Sequence, residues 1–352
     1  MKKTPLLLLC FVLKYASYAQ DTSTFFKVLP LPTISYSPET KTAYGVVSLF
    51  NIKAYKDTNT RLSNASLEFK YTSNKQIIFE TDWTFFFNKE KWFSKGMLHY
   101  SKYPDLYFGI GDKISDTSEV QYSSNRFLVQ SNALKSFGKG FFLGPTFRYI
   151  DYSKIEQTAG NSLFPELRNG LSTVSFGIEE LWDRRDNILT PSIGHFMNVG
   201  VDYNLGANKN ETYYRLKIDL RYYKKLSPTL TWSNRLFMRH ASKNTAFFDL
   251  PMAGGDQFVR GFRLGKYRDF SLQTLQTEFR SKVYKSIGLA LFGGITSLKK
   301  DAYREMNQSL KWNTGIGLRI RMDKKEQTNL RFDYALGSNN NSGFYVAFGE
   351  SF

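Results

Sequence analysis

The chain has 352 residues, a formal net charge of +17 and 16% aromatic residues, among them 31 Phe and 22 Tyr. That aromatic content is high for a soluble enzyme and fits a membrane barrel with aromatic girdles. The absence of any apolar run of about 18 residues, at a mean hydropathy of −0.39, excludes a membrane-spanning helix.

The first 19 residues read as a secretory signal. Lys2 and Lys3 form a positive start, Leu6 to Leu13 a short apolar stretch, and Ser17-Tyr18-Ala19 offers small residues for cleavage before Gln20. Lys14 is an unusual charge there, and Leu9 is too large for a lipoprotein cut before Cys10. Cys10 is the only cysteine, so the mature chain has no disulfide or thiolate–metal chemistry. Loss of Lys2, Lys3 and Lys14 lowers the net charge from +17 to +14. A basic exported chain points to anionic lipid or an anion-lined channel, not nucleic acid. Residues 20–29 are expected to be a short periplasmic segment and 30–352 a transmembrane β-barrel.

From residue 30 onward the dominant pattern is period-two alternation. It predicts sixteen strands, near 30–37, 42–53, 62–73, 76–88, 91–102, 121–136, 140–155, 171–183, 194–206, 212–225, 229–242, 273–285, 287–297, 310–322, 327–337 and 343–352. The segment 105–112 reads as part of a loop. In 213–222, Tyr214, Leu216, Ile218, Leu220 and Tyr222 oppose Tyr213, Arg215, Lys217, Asp219 and Arg221. In 329–336, Leu330, Phe332, Tyr334 and Leu336 oppose Asn329, Arg331, Asp333 and Ala335. So many long strands with charged faces are read inside-out, apolar toward lipid and polar toward a wet lumen. Backbone groups in lipid must all pair, so the sheet closes into a 16-stranded antiparallel barrel. One set of connections is mostly short, as at Gly138-Lys139, Ser227-Pro228, Ser286 and Lys324-Lys325; the alternate set, 103–120, 156–170, 243–272 and 298–309, is long. An even strand count with short turns on one side puts both termini in the periplasm.

The 243–272 connection is the longest and carries Gly254-Gly255-Asp256-Gln257-Phe258-Val259-Arg260-Gly261-Phe262. A loop of that length is usually functional. Its paired glycines allow backbone shapes closed to other residues, and Arg260 is able to reach inward to a lumen carboxylate. A mobile solvated loop is the alternative.

Val259-Arg260-Gly261-Phe262 resembles the sixth-outer-loop signature of the BamA/TamA superfamily of outer-membrane barrels (bacterial surface antigen type), and strand counting makes this the sixth outer loop. Leu181-Trp182-Asp183-Arg184-Arg185-Asp186 with Pro191 and Gly194 looks like the family's "DxRD…P…G" strand and periplasmic turn. Thr277-Glu278-Phe279-Arg280 resembles its "E-x-R" strand, Arg331-Phe332-Asp333-Tyr334 its "RxDY" strand, and Phe352 its C-terminal assembly signal. The resemblance covers roughly 100–352. It implies a sixth loop folded into the lumen, a weakly paired seam between first and last strands, and help with insertion or translocation of proteins, or of lipid. It further implies contact with outer-membrane lipid and the barrel assembly machinery, in the outer membrane of a Gram-negative-type envelope.

Two features depart from the family pattern. The thirteenth strand, usually "F-x-D-x-G", reads Phe292-Gly293-Gly294-Ile295 without an acid, so Glu278 or Asp333 is the expected partner of Arg260. The sequence also leaves no room for a periplasmic POTRA domain ahead of the barrel, so substrate capture would fall to a separate periplasmic chain.

Other chemistry has little support. His240-Ala241-Ser242 repeats the His-x-Ser spacing of outer-membrane phospholipase A, on one strand face, but Gly254 stands where the catalytic Asn would be and Asn244 is the nearest substitute. A phospholipase is therefore the remote alternative, and no catalytic residue is assigned. His99 and His195 lack ligand-spaced neighbours, so no metal is expected. Nothing suggests a nucleotide, and no cofactor is assigned. Asp183, Arg184, Arg185 and Asp186 read as a structural rim network. Arg215, Lys217, Arg221, Arg280, Lys282, Arg319 and Arg321 form either an anion-attracting wall or a salt-bridged contact with the sixth loop. A passive channel with anion preference is the main rival function.

Overall fold

The computed structural model describes residues 26–37, 40–52, 60, 63–111, 120–159, 170–206, 212–299, 310–322 and 329–352. The signal sequence, Pro38 and the turn at Lys324-Lys325 lie outside these residues.

Among the described residues, sixteen strands form one closed antiparallel barrel. They are β1 (Phe26–Ser37), β2 (Lys41–Ile52), β3 (Ser63–Thr72), β4 (Ile77–Phe87), β5 (Trp92–Tyr107), β6 (Val120–Asn132, resuming as Leu134–Gly138), β7 (Phe141–Ala159) and β8 (Leu171–Asp183), followed by β9 (Gly194–Gly206), β10 (Tyr213–Lys225), β11 (Leu230–Ala241), β12 (Ser271–Tyr284), β13 (Ile287–Lys299), β14 (Lys311–Arg321), β15 (Asn329–Gly337) and β16 (Asn341–Phe348). Each strand pairs with the next, and β16 returns to β1. The break in β6 has a local cause. Ala133 lies opposite Pro145 of β7, donates to its carbonyl at 3.1 Å and receives no N–H in return.

Alternation sorts the side chains as an inside-out protein requires. On β14, Trp312 and Ile316 face outward while Lys311, Asn313 and Arg319 are buried inside. On β15, Tyr334 and Leu336 face outward while Arg331, Asp333 and Ala335 are buried. The interior is therefore charged, and an aliphatic and aromatic band faces lipid.

Three strand limits differ from those read in the sequence. β1 begins at Phe26, inside the expected periplasmic segment 20–29, because β2 offers ladder partners down to Ile52; its two prolines, Pro30 and Pro32, are tolerated at a seam strand. β5 runs on to Tyr107, opposite Val120, so 105–107 is strand, not loop. The last strand stops at Phe348, not at residue 352, because Gly349 adopts φ +76° and turns the chain off the sheet.

The seam is thin. β15 and β16 share eight residue pairs, Leu330↔Phe348 through Gly337↔Asn341. Between β1 and β16, among the described residues, the register shows one, Tyr36↔Val346.

Candidate functional site

The connection from β11 to β12 makes side-chain contacts with β5, β7, β10, β12, β15 and β16. It holds a 3-10 turn at Phe247–Asp249 and a two-residue hairpin, Met252–Ala253 against Tyr267–Arg268. Gly254 (φ +111°) and Gly261 (φ +100°) shape the intervening bend. A Cβ on Gly254 would sit 2.4 Å from the Arg263 carbonyl, so the sharp return there requires glycine.

Arg260 is the centre of the site. Its Nη1 donates to Asp333 Oδ2 at 2.6 Å, and its Nη2 donates to Glu278 Oε2. Both carboxylate side chains are 0% exposed. Strand β13 supplies no acid; instead the Phe292 ring lies 3.4 Å from the Arg260 guanidinium carbon, so a cation–π contact occupies that side. Arg319 reaches Asp333 at 2.5 Å and Glu278 at 3.3 Å. Arg280 reaches Glu278 at 2.7 Å. Arg331 joins Asp333 at 2.9 Å to Asp256 of the loop at 2.6 Å. Glu350 completes the cluster against Arg319 at 2.8 Å. Four guanidinium groups thus meet four carboxylates. Buried charges tolerate desolvation only when paired in this way.

The flanking motif residues are packed as well. Tyr345 of β16 accepts a hydrogen bond from Gly261 N at 3.0 Å and donates to the Phe262 carbonyl at 3.3 Å. The buried Phe262 ring fills the space left by Gly337, where a Cβ would approach it to 2.7 Å. Val259 is buried among Phe237, Phe262 and Leu272.

Two further anchors hold the loop. Arg235 binds Asp219 and donates to the Gln257 carbonyl at 2.6 Å. On the far wall, Asp249 takes Arg148 at 2.5 Å, Arg215 at 2.7 Å and the Tyr213 hydroxyl at 2.7 Å. Burial alone would raise the Asp249 carboxyl, but Arg148, Arg215 and Tyr213 hold it well below the usual carboxylate range. Phe248 stacks on Tyr152 at 4.5 Å, and Arg263 meets Asp105 at 3.2 Å.

The rim motif is a separate network that touches the first. Asp183 binds Arg185 at 2.8 Å. Asp186 caps its turn by accepting from the amides of Asn187, Ser192 and Ile193. Burial opposes its charge, but these bonds and the Ser192 hydroxyl hold its carboxyl below the usual value. Gly194 (φ +113°) leaves no room for a Cβ, which would lie 2.1 Å from the Arg184 carbonyl. The Pro191 carbonyl accepts from Arg280 Nη1 at 3.5 Å. Phe352 is buried rather than displayed at a strand end, and its carbonyl accepts from Arg280 Nη2 at 2.7 Å.

Of the inward cations singled out in the sequence, Arg215, Lys217, Arg221, Arg280 and Arg319 are each paired with a carboxylate. The Ser242 hydroxyl accepts from the Tyr214 amide at 3.2 Å, and the His240 ring packs on Tyr214 at 5.9 Å. Sequence reading missed the Glu80–His99–Ser101 chain, with contacts of 2.8 and 3.0 Å. Ser101 is only 1% exposed, so the chain satisfies buried polar groups and offers no accessible nucleophile. It also missed Asp249, Asp256, Tyr345 and Glu350. Only the aromatic pair before Asp249 hinted at a buried loop segment.

A family model described as the Omp85 superfamily domain matches residues 50–352. No curated protein sequence matches the chain. Among solved structures, BamA from Haemophilus ducreyi lacking POTRA domains 1–3 aligns at TM-score 0.60 and 11% identity, over 92% of this chain and 70% of that one. CdiB from Acinetobacter baumannii aligns at 0.58 and 12%, over 92% and 60%. CdiB from Escherichia coli aligns at 0.60 and 10%, over 93% and 63%. At these identities the likeness establishes the barrel fold, and the chain spans about 60 to 70% of the length of these structures.

Proposed function

The chain belongs to the Omp85 superfamily, and on that premise we propose that this outer-membrane barrel assists insertion or translocation of proteins, or of lipid, through its seam. The single observation that carries the reading is that, among the described residues, the register between β1 and β16 shows one pair, Tyr36↔Val346. A backbone hydrogen bond is worth about 0.5–1.5 kcal/mol net, so this seam parts before any other strand pair. The sixth loop, tied by Arg260, Arg235 and Asp249 to three stretches of wall, occupies the lumen in this reading and keeps it from serving as an open pore. The barrel assembly machinery and a separate periplasmic chain are the partners it calls for.

The test is depletion of the protein followed by an inventory of outer-membrane proteins and lipids. Loss of a defined set of outer-membrane proteins, secreted proteins or lipids supports the proposal. An unchanged inventory, with large steady conductance from the intact chain in planar bilayers, overturns it in favour of a passive channel.

A further inference from the structure

Five inward-facing arginines stand on β10, β11 and β12. Four of them hold a carboxylate: Arg215 with Asp202 and Asp249, Arg221 and Arg235 with Asp219, and Arg280 with Glu278. Arg239 of β11 does not. Its guanidinium carbon lies 5.1 Å from the centre of the Phe237 ring and 5.0 Å from that of Phe258 in the sixth loop. Among the described residues, no oxygen accepts from its N–H donors.

The neighbouring strand adds charge of the same sign. Directly opposite Arg239 on β10 stands Lys217, and like charges in that relation repel. Lys217 comes no closer than 3.6 Å to Glu179, long for a hydrogen bond. The two Glu179 oxygens already accept from Asn132 at 2.7 Å and from Asn198 at 2.5 Å. The Lys217 side chain is 38% exposed, so its ammonium is open to water inside the barrel. Next in the row, opposite Lys217 on β9, is Gly200. The backbone there does not require glycine, yet a Cβ would meet nothing nearer than 3.8 Å. The inner wall thus carries two adjacent cations with room beside them. A guanidinium without a counter-charge is costly in a sheltered site, and an anion from outside the chain removes that cost.

We propose that Lys217 and Arg239 bind a phosphate-type oxyanion on the inner wall, beside Phe258 of the sixth loop. Opposed residues on neighbouring strands have Cβ atoms about 4.5–5.5 Å apart, so two long cationic side chains reach one anion. The guanidinium fork takes two oxygens and the ammonium a third. That demand favours a phosphate over a carboxylate, which has only two. The occupant is a free phosphate or the phosphorylated headgroup of a lipid, which present the same group. The site goes beyond the proposed use of the seam and holds whether or not the seam opens.

The experiment titrates the full chain, folded in a phosphate-free sugar detergent, with inorganic phosphate, dihexanoyl phosphatidic acid or acetate, by calorimetry at constant ionic strength. Saturable binding of phosphate or of the short-chain lipid is expected. Arg239→Gln and Lys217→Gln should each weaken it roughly tenfold or more, as for loss of a charge-assisted hydrogen bond. Lys224→Gln, at an exposed position near the strand end, should not. Lipid affinity roughly tenfold or more above that of phosphate assigns the site to a headgroup; a smaller difference assigns it to free phosphate. Denaturant midpoints give a second reading, since a ligand of the folded state raises them. Phosphate should raise the native midpoint and leave that of Arg239→Gln in place. If Arg239→Gln fails to fold, Lys217→Gln, at the more open position, carries both comparisons. The proposal is overturned by absence of saturable phosphate or lipid binding, by acetate binding as well as phosphate, or by affinities that the folded variants leave unchanged.

Discussion

Arg260 of the sixth loop and Asp333 of the penultimate strand are 73 residues apart in sequence and joined by a buried 2.6 Å hydrogen bond. The contact fastens a long connection to the wall beside the last strand. It also decides how the cluster responds to mutation, since Asp333 answers to Arg260, Arg319 and Arg331 together.

Arg260→Ala leaves Glu278 and Asp333 with one cation fewer in a water-poor site. Breaking a buried pair from one side costs about 3–5 kcal/mol. The expected outcome is a matching drop in unfolding free energy in denaturant titrations, with protease cleavage appearing within 254–268. Arg260→Lys should not restore the loss, because a single ammonium does not span two carboxylates as the guanidinium fork does. Native-like stability in the Ala variant would remove Arg260 from the anchor.

Deleting 250–268 removes the Arg260 and Gln257 anchors and the hairpin that carries them, and leaves Asp249. Planar-bilayer conductance should rise from low in the intact chain to large and steady in the deletion. Equal conductance would show that the loop does not obstruct the lumen.

Phe262→Ala empties the space beside Gly337 and should cost about 3–5 kcal/mol. Gly337→Ala, with its Cβ 2.7 Å from that ring, should destabilise by about 1–3 kcal/mol through overpacking. If the two act at one contact, the double variant loses less than the sum of the singles in denaturant titrations.

Asp249 gives the loop a pH dependence of defined sign. Its carboxyl is held low when folded, so its contribution is complete above the unfolded Asp value of about 3.9 and is lost as pH falls toward the folded one. Protease protection of 243–270 should be flat from pH 7 to about pH 5 and fall in stronger acid. Asp249→Asn should show reduced protection at pH 7 and lose less on acidification.

Much of this architecture is legible in the sequence because lipid enforces it. A strand crossing a bilayer has every second residue in hydrocarbon, so β10, β14 and β15 alternate without compromise and their inward charges are read directly. Where lipid does not act, local residues say little. Asp249 is 101 residues from Arg148, and nothing near it announces a buried ion pair. Gly349-Glu350-Ser351-Phe352 reads as the end of a strand until Arg319, 31 residues upstream, is seen to claim Glu350.

The central claim is that the seam beside Tyr36 and Val346 must part for the protein to work. Ser35→Cys with Ala347→Cys places a disulfide one step along that register. Under oxidising conditions the locked protein should reproduce the outer-membrane inventory of depleted cells, and reductant should restore the normal one. A locked, fully crosslinked barrel that sustains a normal inventory would contradict the account.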